Sequence, residues 1–487
     1  MTGSFQCCLT IIVLELLTAS VVPHPLLLTT SKPEIAEIKY LSEKPELQPE
    51  EYLDGSKKST TTSAPFVSIP LINESVAEYL YEGDEILTQE QVDYLDSRTK
   101  RQAMNFKIYP SQRWDRTEPI PYYLEGFSPK HEELIHKSFK FWEDHTCLNF
   151  KSNYHGPNHK IRVIAASSEG PCSSYVGRQT ENDTKNRLYG SKQNLTLGKG
   201  CMQFGVITHE IGHALGFWHE HQRLDRDQYI QMHVGNAVKN ATSNFITPYR
   251  GAIDNLGVPF DYGSIMQYDQ YAFSRATGRL TTMEPTPGNE DHINTMGQII
   301  GPSFLDLLLM NKLYDCQDLC VSNPKKCQNQ GFQNPKNCSQ CICPTGLGGP
   351  DCADRDPGSS KGSPCGADLT AGEDWKTFTG SVGGFERRGF HDHCHWRIQA
   401  PAGSQVLIRV DSISGRSGDF GCKWNNVELK LEKDVRKTGF RFCDPAQVNG
   451  RIFSSQANVA IISAYARQRQ DLKISYKACN DFFGFCI

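Results

Sequence analysis

The sequence predicts a multidomain protein with an α+β domain, a small disulfide-rich module and a β-sandwich. Three observations support this prediction. Residues 209–227 carry three histidines and a glutamate at metal-site spacing. Six cysteines crowd into residues 320–352, and apolar and polar residues alternate from Cys365 onward. At 487 residues, the chain is also too long for one ordinary domain.

The N-terminus is typical of a secretory leader. Leu9 to Leu17 forms an apolar run interrupted by Glu15, and the small residues Thr18-Ala19-Ser20 offer a cleavage point. The run is too short to span a membrane, and no later segment approaches the ~20 apolar residues that a span requires. We therefore expect a signal peptide at 1–20, no transmembrane segment and a secreted protein.

Cysteine and sequon content favour the same compartment. Of 18 cysteines, Cys7 and Cys8 lie in the leader, and the other 16 lie between Cys147 and Cys486. An even number of cysteines in a secreted chain predicts disulfides. Candidate glycosylation sequons begin at Asn73, Asn182, Asn194, Asn240 and Asn337. The formal net charge of −4, with both signs interspersed, gives no indication of a nucleic-acid partner.

Residues 21–101 are expected to form a propeptide. They contain no cysteine and are rich in Pro, Ser, Thr and Glu, which predicts a poorly ordered segment without its own core. The segment ends in Arg98-Thr99-Lys100-Arg101, which resembles a proprotein-convertase site. Cleavage there by such a partner would make Gln102 the first mature residue, and a glutamine in that position can cyclise and lose its amine.

The following residues have the pattern of an α+β domain. Ile120 to Leu124 and Ile161 to Ala166 are predicted strands. A capping serine and a first-turn proline at Ser128-Pro129 predict a helix start. A second helix follows Cys201 and carries the histidines.

The motif HEIGHALGFWH contains HExxHxxGxxH. His209 and His213 are four residues apart, so on a helix both imidazoles leave the same face. Gly216 permits a turn that brings His219 round as a third ligand. Three ligands leave a fourth zinc position open, as in catalytic sites. The opposite face of the helix, with Phe204, Ile207, Ile211 and Leu215, is expected to enter a core.

The extended stretch HEIGHALGFWHEHQRLDRD resembles the astacin metalloproteases, a group of metzincins, at every fixed position. Residues 264–268, SIMQY, resemble the Met-turn of that family, with Gln267 in place of the usual histidine. Landmarks around Cys147, Cys172 and Leu313 to Cys316 extend the resemblance over 102–316. The resemblance implies a zincin catalytic domain.

The resemblance also implies roles for individual residues. One Zn²⁺ per subunit would be held by His209, His213, His219 and, at rest, Tyr268. Glu210 would be the general base and Tyr268 would stabilise the oxyanion. The supporting residues are Met266 below the metal, Gly216 at the turn and Glu220, beside which the family buries its mature N-terminus. Residues 81–84, YEGD, resemble the latency motif in which an aspartate, here Asp84, binds zinc in the precursor only.

Two further modules resemble common partners of these enzymes. Residues 317–353 look EGF-like, and residues 365–479 look like a CUB domain, with a linker at 354–364 and a C-terminal tail at 480–487. The calcium-binding CxYD run of many CUB domains is replaced here by Cys422-Lys423-Trp424-Asn425, so no calcium site is expected. The implied disulfides are Cys147–Cys316, Cys172–Cys201, Cys320–Cys338, Cys327–Cys341, Cys343–Cys352, Cys365–Cys394 and Cys422–Cys443. Cys479 and Cys486 are the two cysteines that remain, and we expect them to pair with each other.

These observations favour a secreted zinc endopeptidase made as a zymogen, acting on extracellular proteins. The module order resembles nematode astacins, which are associated with hatching, moulting and cuticle processing. Arg275 and Arg279 are candidates for a basic substrate pocket. Two alternatives remain: a catalytically silent binding protein that acts through its EGF-like and CUB modules, and a structural zinc protein with a closed fourth ligand.

Overall fold

The structure is a computed structural model that describes residues 68–74, 76, 80–88, 91, 104–107, 109–152, 159–166, 170–179, 192–245, 254–385, 390–414 and 420–480. The predicted signal peptide, the processing residues Arg98, Lys100 and Arg101, and also Gln102, Asn182, Cys486 and 481–487 lie outside these ranges. None of the helices within them has the length and apolar content that a membrane crossing requires.

The catalytic region is built on a six-stranded sheet in the order β1-β5-β6-β4-β2-β3. Its strands are β1 (Glu85–Ile86), β2 (Ile120–Glu125), β3 (Phe150–Lys151), β4 (Lys160–Ala165), β5 (Cys172–Tyr175) and β6 (Lys192–Leu197). β2, β4 and β6 run parallel, whereas β5 is antiparallel to β6. β1, from the predicted propeptide, adds to the outer edge of β5 in parallel.

The helices of this region are α1 (Ile69–Ile72), α2 (Pro129–His145), α3 (Phe204–Ala214) and α4 (Phe304–Leu313). α2 begins with Pro129 after the extended Ser128, as the sequence predicts, but the Ser128 side chain makes no capping hydrogen bond, so that part of the prediction is wrong. α2 packs on α3, and the indole N–H of Trp142 donates to the carbonyl of Thr208 at 3.1 Å. A two-stranded sheet of β7 (Ile230–Met232) and β8 (Met283–Pro285) follows α3.

Burial exceeds the expectation from the sequence in two places. The propeptide was expected to be poorly ordered, but residues 68–74 and 80–88 are ordered, because Ile69 packs into the catalytic core and Leu87 into a smaller cluster with Trp218. One face of α3 was expected to enter a core, yet every residue from 205 to 214 is buried. Residues 80–88, from the predicted propeptide, lie over the histidine face and supply the additional cover.

The small module, residues 320–355, consists of two hairpin-like pairs around three disulfides. Its strands are β9 (Phe332–Asn334), β10 (Asn337–Ile342), β11 (Leu347–Gly348) and β12 (Asp354–Arg355). Few of its residues are buried hydrophobics, so the disulfides replace a core.

The C-terminal β-sandwich, residues 366–479, has a five-stranded sheet β13-β15-β20-β17-β18 and a four-stranded sheet β14-β21-β16-β19. Its elements are β13 (Gly366–Thr370), β14 (Lys376–Val382), β15 (Asp392–Gln399), β16 (Gln405–Ile413), β17 (Asn425–Lys430), β18 (Phe440–Phe442), α5 (Pro445–Val448), β19 (Ile452–Ser454), β20 (Val459–Ala466) and β21 (Gln470–Cys479). The inner faces of both sheets form one apolar core.

Apolar and polar residues alternate along β17, a pattern typical of a strand with one solvent-facing side, but all six residues are buried. The outward-facing Glu428 pairs with Arg441 at 2.9 Å, and Lys430 donates to the carbonyl of Thr345 in the small module at 3.4 Å. Strand β17 is covered because the sandwich packs against the preceding domains.

The structure pairs the same cysteines that the family resemblance implied for seven disulfides. They are Cys147–Cys316, Cys172–Cys201, Cys320–Cys338, Cys327–Cys341, Cys343–Cys352, Cys365–Cys394 and Cys422–Cys443. Because Cys172 and Cys201 bridge each other, neither is available as a fourth metal ligand.

Candidate metal centre

α3 and the turn after it place three imidazoles around one point. His209 and His213 leave the same face of α3, and Gly216 follows with a φ of +108°. A side chain at Gly216 would be strained by that φ, and its Cβ would lie 2.9 Å from the ring of Phe106. The turn returns the chain so that the ring centroid of His219 lies 4.8 Å from that of His213.

The three Nε2 atoms converge on the carboxylate of Asp84. The distances are 3.0 Å from His209 to Oδ2, 3.1 Å from His219 to Oδ1 and 3.5 Å from His213 to Oδ1. These four residues offer ligand atoms within 4.8 Å of one another, and all four are buried. The sequence motif and the propeptide aspartate therefore meet at one site.

The hydrogen bonds of Nδ1 in His209 and His213 show that Nε2 of each ring is available to bind a metal. Nδ1 of His209 lies 2.8 Å from the carbonyl of Ile265, and Nδ1 of His213 lies 2.8 Å from the carbonyl of Phe217. A carbonyl accepts, so each Nδ1 carries the proton and each neutral Nε2 presents a lone pair. The two Nε2 atoms are 3.0 Å apart. Lone pairs facing each other and a carboxylate fit a cation between them, and three nitrogens with one oxygen suit zinc.

The predicted Met-turn lies directly below the histidines. The sulfur of Met266 is 3.3 Å from the position that a Cβ on Gly212 would take, so the methionine side chain packs against α3. The Tyr268 hydroxyl donates to Asp84 Oδ2 at 2.6 Å. Burial, followed by the charge of Asp84, raises the pKa of Tyr268 well above its usual value. The phenol is therefore a proton donor at neutral pH.

Glu210 is fully buried beside this centre, and neither carboxylate oxygen has a hydrogen-bond partner among the described residues. Burial, with a contribution from Asp84, raises its pKa well above the usual value. Burial also acts to raise the pKa of Asp84, but His219 and His213 outweigh it and hold that pKa well below the usual value. Asp84 is thus the ionised partner of the histidines, and Glu210 is a carboxyl group without a hydrogen-bond partner among the described residues.

Glu220 connects the centre to the Met-turn segment. Its Oε1 accepts from the backbone N–H of Asp261 at 2.8 Å and lies 3.2 Å from the guanidinium of Arg223. Burial raises the pKa of Glu220 to about 8 despite Arg223. The mature N-terminus that the family resemblance places near Glu220 lies outside the described residues.

Several residues at the centre were not predicted as site residues. Glu82 Oε2 lies 3.0 Å from Nε2 of His221, two residues beyond the third histidine. Asp306, on α4, accepts from the Ser264 hydroxyl at 2.6 Å and from the Ile265 N–H at 2.8 Å, and so fixes the carbonyl that orients His209. The sequence offered one signal for Asp306: it lies three residues after the capping Ser303, a spacing typical of a helix start.

The environment of Asn73 argues against glycosylation at this sequon. Its side-chain amide is buried and donates to the carbonyls of Gly83 and Cys172, both at 2.6 Å. A glycan on that nitrogen would replace one of its two N–H groups and so remove one of these bonds, at a side chain that is fully buried. The amide instead joins the predicted propeptide to β5.

The other candidate surface residues occupy different environments. Asn337 is exposed in β10, and Asn194 is half-buried in β6. Asn240 lies in a 3₁₀ segment, Lys239–Phe245. Arg275 and Arg279 are exposed beyond the Met-turn.

The chain is similar to known proteins over most of its length. A family model described as "Astacin", a peptidase family, matches residues 106–315. The chain is 34% identical to zinc metalloproteinase nas-31 of Caenorhabditis elegans, over 81% of this chain and 63% of that relative, and thus spans less than two thirds of its length. Identity to zinc metalloproteinase nas-23 of the same organism is 33%, over 84% of this chain and 74% of that relative.

A solved structure also matches. High choriolytic enzyme 1, a hatching enzyme zinc-protease from Oryzias latipes (medaka fish), is 31% identical, covering 42% of this chain and 95% of that chain with a TM-score of 0.36.

Proposed function

The chain belongs to the astacin family of zinc metalloproteases, and we propose that it is a secreted endopeptidase, made as a zymogen, that hydrolyses internal bonds of extracellular proteins. One observation carries the proposal: three histidine Nε2 atoms converge beside Glu210. The Asp84 carboxylate, from the predicted propeptide, lies among them. The silent-scaffold alternative gains no support, since a binding protein has no need for this set. The structural-zinc alternative needs a fourth protein ligand that closes the site permanently. Asp84 would leave with the propeptide, and the family resemblance makes Tyr268 a ligand only at rest.

His209, His213 and His219 would hold the zinc ion, which would act as a Lewis acid and lower the pKa of its bound water towards neutrality. Glu210 takes the proton from the attacking water and passes it to the leaving amine, so no covalent enzyme intermediate forms. The Tyr268 hydroxyl donates a hydrogen bond to the oxyanion of the tetrahedral intermediate. In the precursor that same hydroxyl is engaged by Asp84.

Latency rests on two contacts of the propeptide. Asp84 occupies the position between the histidines, and β1 covers the edge of β5, where Ser174 N–H donates to the Asp84 carbonyl at 3.0 Å. Cleavage after Arg101 by a proprotein convertase would release both. An extended substrate would then add to the vacated edge of β5 by main-chain hydrogen bonds.

The domain boundaries proposed from the sequence are a signal peptide at 1–20, a propeptide at 21–101 and a protease domain at 102–316. The small module is proposed to be EGF-like (317–353) and, after the 354–364 linker, the sandwich to be a CUB domain (365–479). The EGF-like assignment is supported by the three disulfides in a short segment. The CUB assignment is supported by the two packed, mostly antiparallel sheets.

The test is a paired cleavage assay with zinc counted. Protein processed at Arg101 is compared with its Glu210→Ala twin on a broad peptide library. We expect one catalytic zinc in each and a loss of about 10²–10⁴-fold in kcat for the variant. Fully processed parent protein that binds zinc but cuts no peptide would contradict the proposal, and a twin that cuts as fast as its parent would exclude Glu210 as the base.

A further inference from the structure

A second group of metal-ligating side chains lies outside the protease centre, where the segment after the small module crosses the sandwich. Asp356 comes from that segment, and His393 and His395 come from β15. One ligand atom of each lies within 4.8 Å of the others. No step of the proposed proteolysis uses any of these three residues.

Strand geometry brings the two histidines together. They are two residues apart on β15, so both rings project from the same face of the sheet. Opposite them on β20 lie Tyr465 and Ser463. Cys394 points to the other face and is closed in the disulfide with Cys365, so no thiolate takes part.

The segment that carries Asp356 is fixed to the same strand. Ser359 N–H donates to the His393 carbonyl at 2.7 Å, and His393 N–H donates back to the Ser359 carbonyl at 2.9 Å. This pair of bonds holds the aspartate beside the histidine rings without any ion. The cluster is therefore part of the folded architecture and does not depend on a chance meeting of surface side chains.

His395 and Asp356 each use one polar atom in a hydrogen bond and direct the other towards the centre of the cluster. His395 Nδ1 lies 2.7 Å from the Ser463 hydroxyl, which leaves Nε2 facing Asp356 Oδ2 at 3.9 Å. Asp356 Oδ1 accepts from Gly358 N–H at 2.8 Å, which fixes the carboxylate plane. Ligating histidines and carboxylates typically have such an outer hydrogen bond on the atom that does not bind the metal.

We propose that Asp356, His393 and His395 bind a divalent transition-metal ion of the zinc class, with water as the fourth ligand. Two imidazoles exclude calcium and magnesium, which take oxygen ligands. Zinc bonds of ~2.0–2.1 Å place tetrahedral ligand atoms about 3.3 Å apart. Ligand atoms that lie up to 4.8 Å apart require closure by up to about 1.5 Å, and Asp356 and His393, both half-buried, are the ligands with room to move.

The ion would join the segment after the small module to the sandwich sheet. The small module itself reaches the site, since a Cβ on Gly346 would lie 3.6 Å from His395 Nδ1. Binding would therefore fix the small module against the sandwich. It would stabilise the junction without taking part in peptide hydrolysis.

The experiment counts zinc in the full-length secreted precursor, with disulfides intact, after equilibration at buffered micromolar free Zn²⁺. We expect two ions per chain in the parent and one in His393→Ala and in Asp356→Asn. His233→Ala is the matched control, because His233 is also partly exposed and lies 3.2 Å from a carboxylate oxygen of Glu284. It should retain two ions.

The variant His209→Ala separates this proposal from the protease centre. One ion in the parent, retained by His393→Ala and lost by His209→Ala, overturns the second site and leaves the proposed function intact. One ion lost only by His393→Ala supports the second site while contradicting zinc at the protease centre. If the substitutions prevent folding, anomalous diffraction of the zinc-soaked parent decides: a peak among the three side chains supports the site, and its absence overturns it.

Discussion

Asp261 accepts two hydrogen bonds from Thr438, at 3.0 Å from the backbone N–H and at 3.1 Å from the hydroxyl. The N–H of the same aspartate donates to Glu220, which directly follows His219. The C-terminal sandwich is thus connected through two residues to the segment that carries the third histidine. The distance in sequence between Asp261 and Thr438 is 177 residues.

Thr438→Val tests this connection. Valine has the shape of threonine but lacks the hydroxyl donor, so the buried Asp261 carboxylate loses one partner. We expect the free energy of unfolding to fall by about 1–3 kcal/mol in urea titrations. Thr379→Val, on the exposed side of β14, is the control and should change it by less than ~0.5 kcal/mol. Equal stability of Thr438→Val and parent would show that the hydroxyl bond contributes nothing.

Removal of the Asp84 carboxylate should weaken latency. We expect the precursor carrying Arg101→Ala, which blocks processing, to remain inactive, and the same precursor with Asp84→Ala to cleave a quenched peptide measurably. The reason is that the substitution deletes the oxygens that lie 3.0–3.1 Å from His209 and His219. Glu74→Ala, an exposed carboxylate in the same propeptide, should leave the precursor inactive. A silent Asp84→Ala precursor, beside an active processed parent, would show that coverage by β1 suffices for latency.

Tyr268→Phe should lower kcat of the processed enzyme by about 10²–10³-fold with little change in KM, because one oxyanion donor is lost. Zinc content should stay the same as in the parent. Tyr271→Phe, three residues further along and packed on Phe420, is the control and should retain parental kinetics. A parental kcat for Tyr268→Phe would leave Tyr268 with a packing role only.

Asp306 should make stability fall as pH rises between about 4 and 6. Burial raises its pKa to about 6 against hydrogen bonds from Ser264, Ile265 and Ser303, whereas the unfolded group has the ordinary pKa of 3.8. The folded chain therefore holds the proton more tightly, and the unfolded chain loses it first as pH rises. Relative to Asp306→Asn, the parent should lose up to about 3 kcal/mol across this window. Parallel curves of unfolding free energy against pH for the two proteins would contradict the shift.

The sequence by itself determined which histidines converge at the centre. The spacing of His209, His213 and His219 was sufficient because ligands four residues apart share a helix face and Gly216 permits the turn. Helix starts such as Ser128-Pro129 were equally local. The family resemblance added the Met-turn and the cysteine pairs, which no spacing rule supplies.

Tertiary structure decided which polar groups are buried. The pattern of β17 is typical of a strand with an open face, and a sequon suggested a glycan at Asn73, yet both are covered by segments remote in the sequence. The buried Lys423 likewise has a partner that only the fold supplies, since its ammonium lies 3.8 Å from the carboxylate of the buried Asp269. Periodicity and motifs depend on neighbours within one element, whereas these burials depend on contacts between domains. Such contacts leave no local pattern, because the partner that covers a residue lies tens to hundreds of positions away along the chain.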